Sequence, residues 1–154
     1  MVQYENLNAQ ELLKEVTEAF TAREGAQLGV NIMEGELLLR GNFDELKRVL
    51  TNLLENAYRH TPPEGKIVLS LKADAKQVQF VVADTGSGVS AEHLPHLTER
   101  FYRIDTARAR TQGGTGLGLS ICKSIVDAHQ GTIQIESAEG VGTTVTVSLP
   151  RISC

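Results

Sequence analysis

The sequence predicts an α+β fold: a two-layer sandwich with a mixed, mostly antiparallel sheet and its helices on one face. The run from 44 to 60 carries the first reason, because Leu46, Val49, Leu50, Leu53, Leu54 and Ala57 follow the i, i+3, i+4, i+7 spacing of one buried helix face. The second is that β-branched, partly alternating runs come in pairs, before that helix, after it and at the end of the chain. The third is that no βαβ repetition links them, which argues against a purely parallel sheet.

Each element has a local reason. Asn8 is an N-cap, with Glu11 three residues on, for a helix expected over 9–24 with Leu12, Leu13, Val16, Ala19 and Phe20 at helical spacing. Gly25 and Gly29 break it. Residues 28–33 and 36–40 read as two short strands joined by a turn at Glu34-Gly35. Gly41-Asn42 leads into the central helix. Asp44 and Glu45 suit the dipole of its first turn, and Thr61-Pro62-Pro63 stops it. Strands are expected at 67–71 and 78–82, joined near Asp74-Ala75-Lys76. From 119 to 129 the spacing is helical again (Ile121, Cys122, Ile125, Val126), ending at Gly131. Residues 132–136 and 143–149 close the chain as a hairpin around Glu139-Gly140-Val141-Gly142.

Length and composition bound the function. With 154 residues, 41% of them hydrophobic and 22% charged, the chain reads as one soluble globular domain. A net charge of -4 excludes the chain as a whole from nucleic-acid or anionic-membrane binding. No apolar run approaches a membrane span, and the first twenty residues hold no apolar block, so no signal peptide is expected. Cys122 and Cys154 form no metal or redox spacing, which fits a reducing compartment.

Four short stretches carry chemistry. Asn52 and Asn56 lie four residues apart on the central helix, at the border of its apolar stripe, and Arg59 continues their row. Side-chain oxygens of this kind suit Mg²⁺, although hydrogen bonding to nearby backbone explains such residues as well. Asp84-Thr85-Gly86-Ser87-Gly88 follows a buried strand, where a carboxylate can accept from an exocyclic amine and glycines let backbone approach a flat ligand. Taken alone it is the pattern of many Asp-Gly turns. Gly114-Thr115-Gly116-Leu117-Gly118 opens a helix and exposes backbone N–H groups to anions, though its spacing is neither a dinucleotide fingerprint nor a P-loop. Between the glycine stretches stands Phe101-Tyr102-Arg103-Ile104-Asp105.

In this order the four resemble the N, G1, F and G2 boxes of the catalytic and ATP-binding domain of sensor histidine kinases. That family lies within the gyrase, heat-shock chaperone, histidine kinase and MutL superfamily and shares the Bergerat ATP-binding fold. The resemblance covers about residues 8–149. It implies ATP and Mg²⁺ as cofactors, with Asn56 ligating Mg²⁺ and Asn52 near the phosphates. Asp84 would bind the adenine amino group in a pocket shaped by Gly86 and Gly88. Residues 104–113 would form a lid, and the backbone from Gly114 through Thr115, Gly116 and Leu117 to Gly118 would hold phosphates. Arg59 stands where many members have Lys and should contact the phosphates, a change that is not neutral there. His60 stands where a Tyr is common beside the purine, and Arg103 could neutralise the γ-phosphate.

Position 52 bears on the reaction. Relatives that hydrolyse ATP, and the superfamily's serine kinases, place a Glu four residues before the metal-binding Asn as general base. Asn52 takes no proton at neutral pH, so transfer to a nucleophile on another domain is expected. The alternatives are a superfamily ATPase, an anti-sigma serine kinase and a degenerate nucleotide-binding module. Glu55, one residue along the helix, reads as a solvated charge. His60, His93, His96 and His129 lack the context of the family's phosphorylated His, and His129 ends a helix where a cation is welcome. Residues 1–154 are therefore expected to be one catalytic domain, with about 1–8 a linker from a missing upstream domain. The implied partners are the phosphoacceptor dimerisation helices of the same kinase and a response-regulator receiver domain, with no nucleic acid. The domain alone is expected to be a monomer in the cytoplasm, and the full-length kinase a homodimer, in some cases anchored in the inner membrane.

Overall fold

The central helix and the strands that flank it build the core. The computed structural model describes residues 3–20, 24–86, 118–138 and 140–152. In chain order these form β1 (Glu5–Asn8), α1 (Ala9–Glu18), β2 (Gln27–Ile32), β3 (Leu38–Gly41), α2 (Phe43–His60), β4 (Lys66–Ala73), β5 (Gln77–Asp84), α3 (Gly118–Ala128), β6 (Thr132–Ala138) and β7 (Gly142–Pro150). Five strands pair in the order β2-β4-β5-β7-β6, with β2 parallel to β4 and every other pair antiparallel. The mixed, mostly antiparallel sheet expected from the sequence is the one formed.

Period-two alternation puts one face of the sheet in the core. Ile67, Leu69 and Leu71 of β4, Val78, Phe80 and Val82 of β5, and Val145, Val147 and Leu149 of β7 are all buried. The register sets Phe80 between Leu71 and Val147, so the three strands present one apolar surface. Against it lie the buried faces of α1 (Leu12, Leu13, Val16), α2 (all six stripe residues) and α3 (Cys122, Ile125, Val126).

The first two helices both start on an asparagine. Asn8 Oδ1 accepts from the Gln10 and Glu11 N–H groups at 2.8 and 3.1 Å, and Asn42 Oδ1 accepts from the Glu45 N–H at 2.9 Å. A Lys47–Glu15 ion pair at 2.8 Å ties α2 to α1. The first helix ends at Glu18, short of the expected residue 24. The Ala19 and Phe20 N–H groups bond to Val16 and Thr17 carbonyls, tightening the last turn. Phe20 is then buried and stacks on Tyr58 of α2 with ring centroids 5.6 Å apart. Burying that ring outweighs another turn of helix.

The strands expected at 28–33 and 36–40 exist but do not pair with each other. β2 joins the main sheet beside β4, while β3 pairs antiparallel with β1, and Leu39 faces Leu7 across that pair. Residues 5–8, read from sequence as part of a linker, are that strand. One buried residue among polar neighbours, Leu7, gives too little alternation to read.

His129 also differs from its sequence reading. Its Nδ1 donates to the Ile125 carbonyl at 2.8 Å, and its Nε2 accepts from the Asn42 N–H at 3.0 Å. One ring nitrogen donates and the other accepts, so the ring is the neutral tautomer. It acts as a hydrogen-bonding joint rather than as a cation at the helix end.

The chain leaves α3 through a Schellman closure, in which the Gly131 N–H reaches the Val126 carbonyl at 2.9 Å. Gln130 occupies the left-handed position with φ of 61°, which disfavours a side chain. Gln130→Gly is therefore expected to stabilise the fold by about 1 kcal/mol, seen as a higher midpoint in urea unfolding. A lower midpoint would contradict the reading.

Candidate functional site

The last residue of β5 is held by backbone on two sides. Asp84 lies opposite Ile67 of β4 and Thr143 of β7, so it sits at the end of the central strands. Its Oδ1 accepts from the Gly86 N–H at 2.9 Å and the Thr143 N–H at 3.2 Å. Oδ2 has no hydrogen-bond partner among the described residues, which leaves one carboxylate oxygen to accept from a ligand. The Thr143 contact was invisible in the sequence, because it depends on the β5–β7 register.

Glycine brings the end of α2 to this carboxylate. A Cβ on Gly86 would lie 2.4 Å from the His60 carbonyl oxygen and 3.0 Å from Asp84 Oδ1. A Cβ on Gly142, where φ is +146°, would lie 2.1 Å from the Asp84 carbonyl oxygen. No side chain fits at either position, so both glycines serve close approach of backbone. Thr85 closes the neighbouring corner, its hydroxyl accepting from the Lys66 N–H at 2.9 Å.

The other candidate residues follow from α2. Asn52 and Asn56 are half-buried at the rim of its apolar stripe, whereas Arg59 and His60 are exposed. Glu55, read as a solvated charge, is half-buried and takes part in a contact. Eight residues at 1.5 Å each separate Asn52 from His60, about 12 Å along the axis. The fold thus brings Asp84, Gly86 and His60 together at one end of α2 and sets Asn56 and Asn52 one and two turns back. Gly118 is the first residue of α3, which packs against α2 at Val49. Gly88, Arg103, Gly114, Thr115, Gly116, Leu117 and the expected lid at 104–113 lie outside the described residues.

The donor set can be tested against a metal ion. Among the described residues no cluster of three or more His, Cys, Asp or Glu could cage a metal. Mg²⁺ held largely by phosphate oxygens and water needs no cage, and one hard protein oxygen suffices. The Asn56 side chain makes no hydrogen bond among the described residues, so its oxygen is uncommitted and fits that role.

Comparison with known proteins agrees with this geometry. The sequence model of the family described as histidine kinase-, DNA gyrase B- and HSP90-like ATPase matches residues 41–153. The sensor protein SrrB of Staphylococcus aureus is 42% identical over 110 residues, which cover 71% of this chain and 19% of that protein. This chain therefore matches a minor part of that relative's length. The nucleotide-free catalytic domain of histidine kinase ThkA is 27% identical with a TM-score of 0.84, over 97% of this chain and 99% of that one. Full-length ShkA, in complex with AMPPNP, is 25% identical with a TM-score of 0.85, over 100% of this chain and 32% of that one. An ATP-binding family matched over most of the chain, on a fold shared with such domains, settles the assignment: this chain belongs to the histidine kinase-, DNA gyrase B- and HSP90-like ATPase family, as a catalytic domain of the sensor histidine kinase kind.

Proposed function

We propose that this domain binds ATP with Mg²⁺ and donates the γ-phosphoryl group to a histidine on a separate dimerisation domain, which then charges a response-regulator receiver domain. The observation that carries this reading is the Asp84 carboxylate, which has one oxygen fixed by backbone and the other left for a base amine, beside the helix bearing Asn52, Asn56 and Arg59. In this reading Asp84 Oδ2 accepts from the adenine amino group, Gly86 and Gly88 give the ring room, and His60 flanks it. Asn56 holds Mg²⁺, which screens the phosphate charge. Asn52, Arg59, Arg103 and the backbone from Gly114 to Gly118, including Thr115, Gly116 and Leu117, orient the phosphates, and 104–113 covers them. The P–O bond to the β-phosphate breaks, a P–N bond to the acceptor imidazole forms, and ADP leaves.

Phosphoryl transfer needs positioning and charge stabilisation more than covalent chemistry, and this chain supplies the donor side of both. Asn52 offers no base to activate water, which favours transfer over hydrolysis. Residues 1–154 then work as one domain behind an upstream phosphoacceptor domain, with the early residues as the connection. No helix among the described residues is long and apolar enough to cross a membrane. We assign the domain, a monomer by itself, to the cytoplasm, with the full-length kinase a homodimer that an inner-membrane anchor would suit.

Two experiments test this reading. Losing a hydrogen bond to a buried charged group costs roughly 1.5–3 kcal/mol, so Asp84→Asn should weaken ATP about ten-fold or more in calorimetric titration. The parent protein should bind GTP poorly, since guanine presents a carbonyl where adenine presents an amine. Equal affinity for ATP and GTP would remove Asp84 as the base reader. With radiolabelled ATP, the chain alone should neither label itself nor release phosphate at an appreciable rate. Mixed with a helical acceptor domain it should label that domain in trans, slowly for want of covalent linkage. Self-labelling, or brisk phosphate release without a partner, would favour a self-contained kinase or an ATPase.

A further inference from the structure

The ladder between β4 and β5 ends in an exchange of acceptors. Ile67 and Asp84 are its last register pair, and the next rung joins Lys66 to Thr85. One bond of that rung is regular: the Thr85 N–H donates to the Lys66 carbonyl at 3.0 Å. The other is not. In an antiparallel rung the Lys66 N–H would donate to the Thr85 carbonyl, but here it donates to the Thr85 hydroxyl oxygen at 2.9 Å. A side chain has taken the place of a backbone acceptor, as Thr and Ser do where they compete with a ladder. Gly65 leaves room for this, since a Cβ there would lie 3.0 Å from Thr85 Oγ1.

The exchange releases the Thr85 carbonyl from the ladder, so the chain can leave the sheet directly after Asp84, where β5 ends. That departure matters to the carboxylate. Within a strand the N–H groups point along the sheet to neighbouring strands, while side chains stand roughly perpendicular to it. A Gly86 N–H still in the strand would point past the Asp84 side chain. With the chain turned it reaches Asp84 Oδ1 at 2.9 Å, and Gly86 comes against the His60 carbonyl. Gly86 is buried whereas Thr85 is exposed, so the Thr85 side chain is not there to fill the core.

We infer that Thr85 is a positioning residue for the base-reading carboxylate. Its hydroxyl ends the β4–β5 ladder one backbone acceptor early, and the resulting turn carries the Gly86 N–H onto Asp84 Oδ1. Oδ2 is then the oxygen left for a ligand. The inference rests on the proposed role of Asp84 at the adenine amine. A residue without a side-chain acceptor leaves the Lys66 N–H to water or to the carbonyl of residue 85. The second choice draws residue 85 back into the sheet and takes the Gly86 N–H off the carboxylate. Ser keeps the acceptor, whereas Val, close to Thr in size and shape, lacks it.

Two readouts on the 154-residue chain test this with Thr85→Val, Thr85→Ser, Asp84→Ala and the Thr85→Val/Asp84→Ala pair. Amide hydrogen exchange at Gly86, followed by NMR without nucleotide, reports the turn itself, and Asp84→Ala sets the scale for loss of its hydrogen bond. Calorimetric titration with ATP·Mg²⁺ reports the consequence, with thermal unfolding as the control for folding. Thr85→Val should speed exchange at Gly86 and weaken ATP about three- to ten-fold, the range of one modest hydrogen bond. Thr85→Ser should keep both within about two-fold of the parent. In the Asp84→Ala background Thr85→Val should cost less than about two-fold further, because the group it orients is gone. The inference is overturned if Thr85→Val leaves Gly86 exchange unchanged, if Val and Ser act alike, or if Val weakens ATP as much with Asp84 absent. It is also overturned if Asp84→Ala weakens ATP while Thr85→Val binds like the parent. If Asp84→Ala itself leaves ATP affinity unchanged, the base-reading role of Asp84 fails, which is a distinct result, and exchange at Gly86 still decides whether Thr85 sets the turn. Should Thr85→Val not fold, Thr85→Ala poses the same question.

Discussion

Burial of one face of α2 is the constraint on which the site depends. Leu46, Val49, Leu50, Leu53, Leu54 and Ala57 are each at most 2% exposed, and full burial of a side chain such as Leu is worth about 1.5–3 kcal/mol. That stripe fixes the rotation of the helix about its axis. Asn52 and Asn56 are then held at the rim, half-buried, without needing interactions that favour their position. A site residue placed by the packing of its neighbours is free to spend its own polar atoms on a ligand.

The other half of the site is built from backbone. Asp84 is aimed by the Gly86 and Thr143 N–H groups, and Gly86 and Gly142 let the His60 and Asp84 carbonyls come closer than any side chain would allow. Backbone donors fixed by a sheet do not reorient as solvent does, so the carboxylate is oriented before a ligand arrives. The same arrangement makes the glycines intolerant of substitution. Their requirement is steric at Gly86 and both steric and conformational at Gly142.

A third feature joins elements far apart in sequence. Asn42 caps α2 through Oδ1, donates from Nδ2 to the Gln3 carbonyl, and donates its own N–H to His129 just after α3. Tyr4 meets the His129 ring edge-on, with centroids 4.8 Å apart, and Gly41 has no Cβ because one would lie 2.8 Å from the ring. The entering chain, the start of α2 and the end of α3 thus share one hydrogen-bonded cluster. This is why His129 is neutral here: a protonated ring would turn an N–H toward the Asn42 N–H.

Much of this was legible from residues alone. The apolar stripe of α2, the Asn8 cap, the alternation in β4, β5 and β7 and the order of the four boxes are local patterns, because capping and helix and strand periodicity act over a few residues. Asp84 and the Asn52–Asn56 row could be singled out for the same reason. Pairing partners could not. β2 and β3 had readable strand character, yet β2 went to β4 and β3 to β1, since partner choice is decided by which apolar faces the whole chain can bury together. The Thr143 donor on Asp84 and the Gly86 contact with His60 each join residues tens of positions apart. Residue types and spacing determined what chemistry the chain could offer. Only the tertiary structure decided which oxygen of Asp84 remains to offer it, because a hydrogen bond depends on where its partner is held in space.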